Sequence, residues 1–245
     1  MVFSERRHER LETVAKDIAH HFPRRGFLGK AMVVSVDKFT TVKMYDKVQK
    51  YWKLEIQELI KERNNASPDK KAEYDSIIKY MQETKMAVVI SDSNDDDKFA
   101  AQGLDISKHR AEMNRIDVNG NDIEDRFKDP DNPFRLVFVC AMWLTGFDVP
   151  SLSTLYLDKP MKSHTLMQAI ARANRVFPNK PAGIIVDYVN VFKYMREALR
   201  DYGEGDDGEY PAKDIDQLIA LLDGSISETN DYLGSIGIND VIFDD

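Results

Sequence analysis

The chain is predicted to be an α/β protein: a parallel sheet of about five strands with helices on both faces, followed by a short helical C-terminal extension. Three observations predict this. Five short runs rich in branched apolar residues recur within the first 190 residues. They are apolar throughout instead of alternating, as expected of strands covered on both faces. Helical patterns separate most of them, which implies right-handed βαβ crossovers and a doubly wound domain. Ligands of such a sheet are expected at the carboxyl ends of its strands.

Taken in order, Ala31–Val36 is the first strand, and Phe39–Arg63 is a long amphipathic helix. Ser67 and Pro68 supply a cap and a first-turn proline for a helix over Asp69–Lys85. Met86–Ser91 is the second strand, and the acidic run Asp92–Asp97 after it reads as a solvated loop in preference to a metal site. Arg135–Cys140 and Thr154–Leu157 are the third and fourth strands. A helix over His164–Arg175 leads to the fifth, Gly183–Asp187, and a last helix covers Val191–Arg200. Residues 201–210 are rich in glycine and acid, the composition of a flexible linker. In 211–245, Ile215, Leu218, Ile219 and Leu222 make a short helical stripe. That segment is too short for a domain, so residues 1–200 are the domain, and 211–245 is an arm or the start of a further C-terminal region.

Charge is unevenly distributed. The chain has 34 Lys and Arg against 42 Asp and Glu, a net −8. Thirteen of the acids and a single base, Lys213, lie in residues 201–245, so subtracting that −12 leaves +4 for residues 1–200. Nucleic-acid attraction depends on local potential, and the acidic total does not exclude it. The basic island is Lys159, Lys162, Arg172, Arg175 and Lys180, with no acid between Lys159 and Val186. A single cysteine, Cys140, sits in an apolar run and reads as a buried thiol, so no disulfide framework or cysteine zinc site can form within the chain. No apolar stretch approaches membrane-spanning length, and the first residues lack an apolar signal core. The expected location is cytoplasmic.

Within the island, Gln168, Arg172 and Arg175 recur at i, i+4 and i+7, one face of a helix. Met167, Ile170 and Ala171 form a second face suited to docking on a sheet. A planar guanidinium matches phosphate oxygens bidentately and keeps its charge, which suits stabilisation of phosphoryl transfer. The simpler reading is an ordinary solvated arginine face. Upstream, the third strand leads into Thr145, Gly146, Asp148 and Pro150. Gly146 permits a tight turn, Thr145 offers a hydroxyl, and Pro150 forces an extended exit.

This T-G-x-D-x-P block, followed about twenty residues later by Q-x-x-x-R-x-x-R, resembles motifs V and VI of the second RecA-like motor lobe of superfamily 2 helicases. Leu155–Lys162, Leu166–Arg175 and Gly183–Tyr188 are similar to the motor region of type I restriction endonuclease R subunits, and Lys30–Lys38 stands where those proteins carry motif IV. The resemblance covers roughly residues 12–200. Ala171 replaces a glycine common before the first motif VI arginine, and Lys38 stands where motif IV often leads to an arginine. No G-x-x-x-x-G-K-[ST] loop, magnesium motif or nuclease signature is present.

The resemblance therefore implies one side of a composite ATP site. ATP and Mg2+ would be held by the first RecA-like lobe of the same parent chain, which would also carry the nuclease domain. Arg172 and Arg175 would act as arginine fingers positioned by Gln168, while Gly146 and Asp148 sense nucleotide and closure. Ser35, Lys38 and Thr145 would touch the backbone of double-stranded DNA without reading sequence. Modification and specificity subunits would complete the restriction complex, and the chain alone would be inactive. The alternatives are a motor lobe of another superfamily 2 helicase and a non-catalytic nucleotide-binding α/β module. The second is weakened because Val36-Asp37-Lys38-Phe39 offers no glycine-rich phosphate loop.

Overall fold

Lys30–Ser35 (β1), Lys85–Val89 (β2), Phe134–Val139 (β3), Leu152–Asp158 (β4) and Ile184–Asp187 (β5) form one parallel sheet. Its order is β2-β3-β1-β4-β5: from central β1 the chain crosses to the β2 edge, returns inward to β3, then crosses over β1 to β4 and ends at the β5 edge. This computed structural model describes residues 2–92, 95–144, 146–161 and 163–193. The helices are Val2–His21 (α1), Lys38–Asn65 (α2), Pro68–Glu83 (α3), Asp96–Ala101 (α4), Ser107–Met113 (α5), Ile123–Lys128 (α6) and Ser163–Ala173 (α7). The predicted α/β class and five-stranded parallel sheet are what the chain forms.

Alternation along the strands divides the core between two faces. Ala31 and Val33 of β1, Leu136 and Phe138 of β3 and Tyr156 of β4 pack with Leu11, Ile18 and Phe22 and with Val42, Met44 and Trp52 of α2. Met32, Val34, Val137, Leu155 and Leu157 point the other way, onto Phe127 of α6 and the apolar stripe of α7. Central β1 and β4 are buried at every residue. The edges differ from the predicted uniform burial, because β5 is half-buried throughout and β2 exposes Lys85. A strand with one neighbour keeps an open flank, whatever its composition.

Boundaries shift where local chemistry decides them. Asp37 caps α2, its carboxylate accepting from the Thr40 amide at 2.7 Å. The Ser67 side chain makes no cap bond to α3, which starts on Pro68. Lys85 opens β2 instead of closing α3, and α7 stops at Ala173, two residues short of Arg175. α1 has no counterpart among the predicted elements, although Leu11, Val14, Ala15, Ile18 and Ala19 recur at helical spacing and are buried. α4, α5 and α6 have six or seven residues each, too few for a period to show. Of the helix expected over 191–200, residues 191–193 are helical; the rest, with the expected linker and C-terminal stripe, lies outside the described residues.

Lys30 enters β1 fully enclosed, at 1% exposure. Its ammonium donates to the carbonyls of Phe134 at 2.9 Å and Asn132 at 3.2 Å and lies 5.4 Å from the centre of the Phe127 ring. Burial pulls its pKa down to about 8, against about 10.4 in an unfolded chain. Below pH 8 both states are protonated and the cost of burying the charge is present in full. Between the two values the unfolded state holds more protons, so this group makes stability rise with pH. The unfolding free energy of the wild type relative to Lys30→Met is therefore expected to climb from pH 7.5 to pH 10 in urea titrations. A pH-independent difference would show that the Lys30 ammonium is not strained by its burial.

Candidate phosphate-facing arginine site

α7 docks through Leu166, Ala169, Ile170 and Ala173, all buried at i, i+3, i+4 and i+7. The docking stripe is not the predicted Met167, Ile170 and Ala171: Met167 is 43% exposed and Ala171 is exposed, leaving only Ile170 inside. The true stripe turns Gln168 outward and leaves Arg172 at the margin, half-buried. Arg172 donates from Nε to the Leu144 carbonyl at 2.9 Å. Burial, then the nearby Arg175 charge, lowers its pKa. Arg175 lies just past the helix end and pairs with Asp148 at 2.6 Å, both side chains about half exposed. An exposed pair of this kind contributes ~0–1 kcal/mol, so Arg175 is held lightly and can be released to a stronger anion.

The structure thus joins Arg172, Arg175, Gly146 and Asp148 through one segment, the return loop between β3 and β4. Gly146 has φ +73° with nothing within 4 Å of where a Cβ would stand, so it is backbone conformation, not space, that favours glycine there. Thr145 lies outside the described residues.

The basic island serves this loop. Lys159 donates to the Cys140 carbonyl at 2.8 Å, and Lys180 donates to the carbonyls of Pro150 at 2.9 Å and Leu152 at 3.0 Å. With the Arg172–Leu144 bond, three of the five cations hold main-chain oxygens between residues 140 and 152. Sequence reasoning missed this because carbonyl acceptors leave no mark on the side-chain pattern. It also missed Asn174, whose Oδ1 accepts from the Gly183 amide at 2.8 Å and ties the end of α7 to the start of β5.

That tie corrects the expected position of the site. α7 runs back along the sheet, so Arg172 and Arg175 stand beside the amino end of β5, not at the carboxyl ends of the strands. Ser35 and Lys38 are at the carboxyl end of β1, about 20 Å away by the length of a seven-residue strand. Ser35 is fully buried on the α1/α2 face and its hydroxyl has no hydrogen-bond partner, so in this conformation it cannot meet DNA. Lys38 is half-buried in the first turn of α2, next to the capping Asp37. Among the described residues no group of three or more His, Cys, Asp or Glu could hold a metal ion, and no helix is long and apolar enough to cross a membrane.

The fold is a five-stranded parallel α/β sheet, with Arg172 and Arg175 tied to the loop that carries Gly146. The chain belongs to the type I restriction enzyme subunit R domain 3 family, which matches residues 29–190. It is 36% identical over 194 residues to a Methanocaldococcus jannaschii protein named as the MjaIXP type I restriction enzyme endonuclease subunit, covering 78% of this chain and 15% of that protein. It is 52% identical over 99 residues to the type I restriction enzyme HindI endonuclease subunit of Haemophilus influenzae, covering 39% of this chain and 9% of that one. A type I restriction enzyme endonuclease subunit of Staphylococcus saprophyticus is 39% identical over 101 residues, covering 37% and 11%. The chain spans less than a fifth of the length of each of these relatives.

Proposed function

We propose that the chain is the second, C-terminal motor lobe of an ATP-dependent translocase of double-stranded DNA, within a type I restriction endonuclease R subunit. The observation that carries this reading is the pair Arg172 and Arg175. Both stand on an exposed margin, each tethered by one bond to the loop that also holds Gly146 and Asp148. The substrate ATP, with Mg2+, would be bound by the first lobe of the same parent chain. From this lobe Arg172 and Arg175 reach the γ-phosphate across the cleft, Gln168 orients them, and the Asp148–Arg175 pair opens as they engage. Planar, permanently charged forks fit that role.

Contact with the DNA backbone falls to Lys38 and Thr145, since Ser35 is enclosed. Cleavage belongs to the nuclease domain of the parent chain and recognition to the modification and specificity subunits, in the cytoplasm of a prokaryote. The lobe by itself holds half of the phosphate-binding machinery and is inactive alone.

The DNA assignment is tested in the full-length subunit by the salt dependence of duplex binding. Losing one phosphate contact in Lys38→Ala should weaken binding regardless of sequence and reduce the slope of log K against log salt by about 1. An unchanged slope would remove Lys38 from the DNA contact.

A further inference from the structure

Trp143 is a bulky residue in the left-handed region, at φ +66°. Only a few non-glycine residues adopt such a backbone, and for a side chain of this size it is kept only where the surroundings over-determine it. The surroundings here are aromatic. The indole stacks on Phe147 at 4.2 Å between centroids and 13° between planes. Phe127 of α6 lies 5.5 Å from Trp143, tilted by 31°, and 6.2 Å from Phe147, closing a three-ring cluster. Trp143 and Phe147 are both buried, at 8% and 4% exposure. The two loop rings face each other across residues 144–146, so the stack folds the loop on itself. Leu144, whose carbonyl receives Arg172, follows Trp143, and Asp148, which receives Arg175, follows Phe147. Lys159 and Lys180 pin the loop at its two ends and leave its middle to the rings.

We infer that Trp143 is a positioning residue for phosphoryl transfer: stacked on Phe147 and packed against Phe127, it fixes the two acceptors that set where Arg172 and Arg175 stand. This rests on the arginine-finger reading above. A residue that merely filled the core would gain nothing from the left-handed backbone, since an apolar side chain can pack from an ordinary one. The strained conformation aims the ring at Phe147 and the next carbonyl at Arg172 together. α6 becomes the support of the arginines, although it contributes no group to the phosphate.

The test is a double-mutant cycle on ATP turnover in the full-length subunit with ATP, Mg2+ and duplex DNA. Misplacing catalytic groups by about 1 Å costs up to ~10²-fold in rate. Trp143→Leu is therefore expected to lower kcat about 10-fold or more with the KM for ATP within about two-fold, while Trp143→Phe, which keeps a ring to stack, retains about half of kcat or better. Phe147→Leu should reproduce the loss, and it decides the matter if Trp143→Leu does not fold. Combined with Arg172→Lys, either leucine variant should cost less than the product of the single losses, because both act on one contact. Full turnover in the leucine variants, or losses that multiply, overturns the positioning role and leaves the arginine fingers standing. Undiminished turnover in Arg172→Ala and Arg175→Ala would overturn the finger reading itself, and the positioning role with it.

Discussion

In the full-length subunit, Arg175→Ala is expected to lower DNA-stimulated ATP turnover by about 10³ while nucleotide binding stays within a few-fold. Arg172→Ala should do the same. The asymmetry between turnover and binding follows from what the arginines touch now. Arg175 leans on a half-exposed Asp148 whose contribution is ~0–1 kcal/mol, so moving it to a phosphate loses little. Its gain is greatest when charge accumulates on the transferring group. Arg175→Lys should recover little of the rate, because an ammonium keeps the charge without the planar fork. The two arginines should part in stability. Arg172 also holds the Leu144 carbonyl, so its removal loosens the return loop and lowers the melting point of the lobe; Arg175 holds only a surface carboxylate. Steady-state ATPase beside equilibrium nucleotide binding decides the case. If both variants lose binding and turnover in equal proportion, the arginines are ligand anchors, not fingers.

The parts of this lobe that were legible in the sequence are those where a side chain repeats at a fixed period. The five apolar runs became the five strands, and the Q-x-x-x-R-x-x-R spacing became a helix with Gln168 and Arg172 off its buried stripe. Position proved harder than identity. Arg175 reads as the next turn of that helix, yet the chain leaves it at Ala173, where Asn174 turns back to Gly183. The docking stripe was displaced by one residue, because Met167 and Leu166 are equally apolar and only the sheet beneath selects between them. α6 was invisible in six residues, and with it the ring stack under the loop. Lys159 and Lys180 read only as part of a basic island because their acceptors are carbonyls, which every residue carries.

Arg172 and Arg175 attach to the loop that leaves β3 at one end of the sheet and enters β4 at the other. Lys159 anchors that segment at Cys140, one residue beyond β3, and Lys180 anchors it at Pro150 and Leu152, where β4 begins. A loop fixed at both ends transmits displacement of its middle only through its side chains. The aromatic cluster and the Arg172–Leu144 bond are the side-chain contacts that join the middle of that loop to α6 and α7.

Gly183→Ala should have the second largest effect, and for a reason of space. Its φ lies outside the left-handed region, but an added Cβ would meet the backbone carbon and oxygen of Ala173 at 2.6 Å and Asn174 Oδ1 at 2.7 Å. No real Cβ contact is that short, and a helix end cannot yield as a flexible side chain does. Either α7 lifts from β5, breaking the Asn174–Gly183 bond at 2.8 Å, or β5 shifts along β4. Overpacking of this kind costs ~1–3 kcal/mol, which for a domain of this size lowers the melting temperature by about 2–12 °C. Arg172 and Arg175 sit within two residues of the obstructed carbonyl, so turnover should fall by up to ~10² as well, even below the melting range. Gly103→Ala is the matched control: it has φ +69° and open space, so it carries only the backbone penalty of about 1 kcal/mol, far from the arginines. Differential scanning calorimetry and ATPase on both variants separate the two causes. If Gly183→Ala melts and turns over like the wild type while Gly103→Ala does not, the close approach of α7 to β5 does not fix the arginines. If Gly183→Ala loses turnover out of proportion to stability, the end of α7 is held by backbone contact for the sake of the side chains just beyond it.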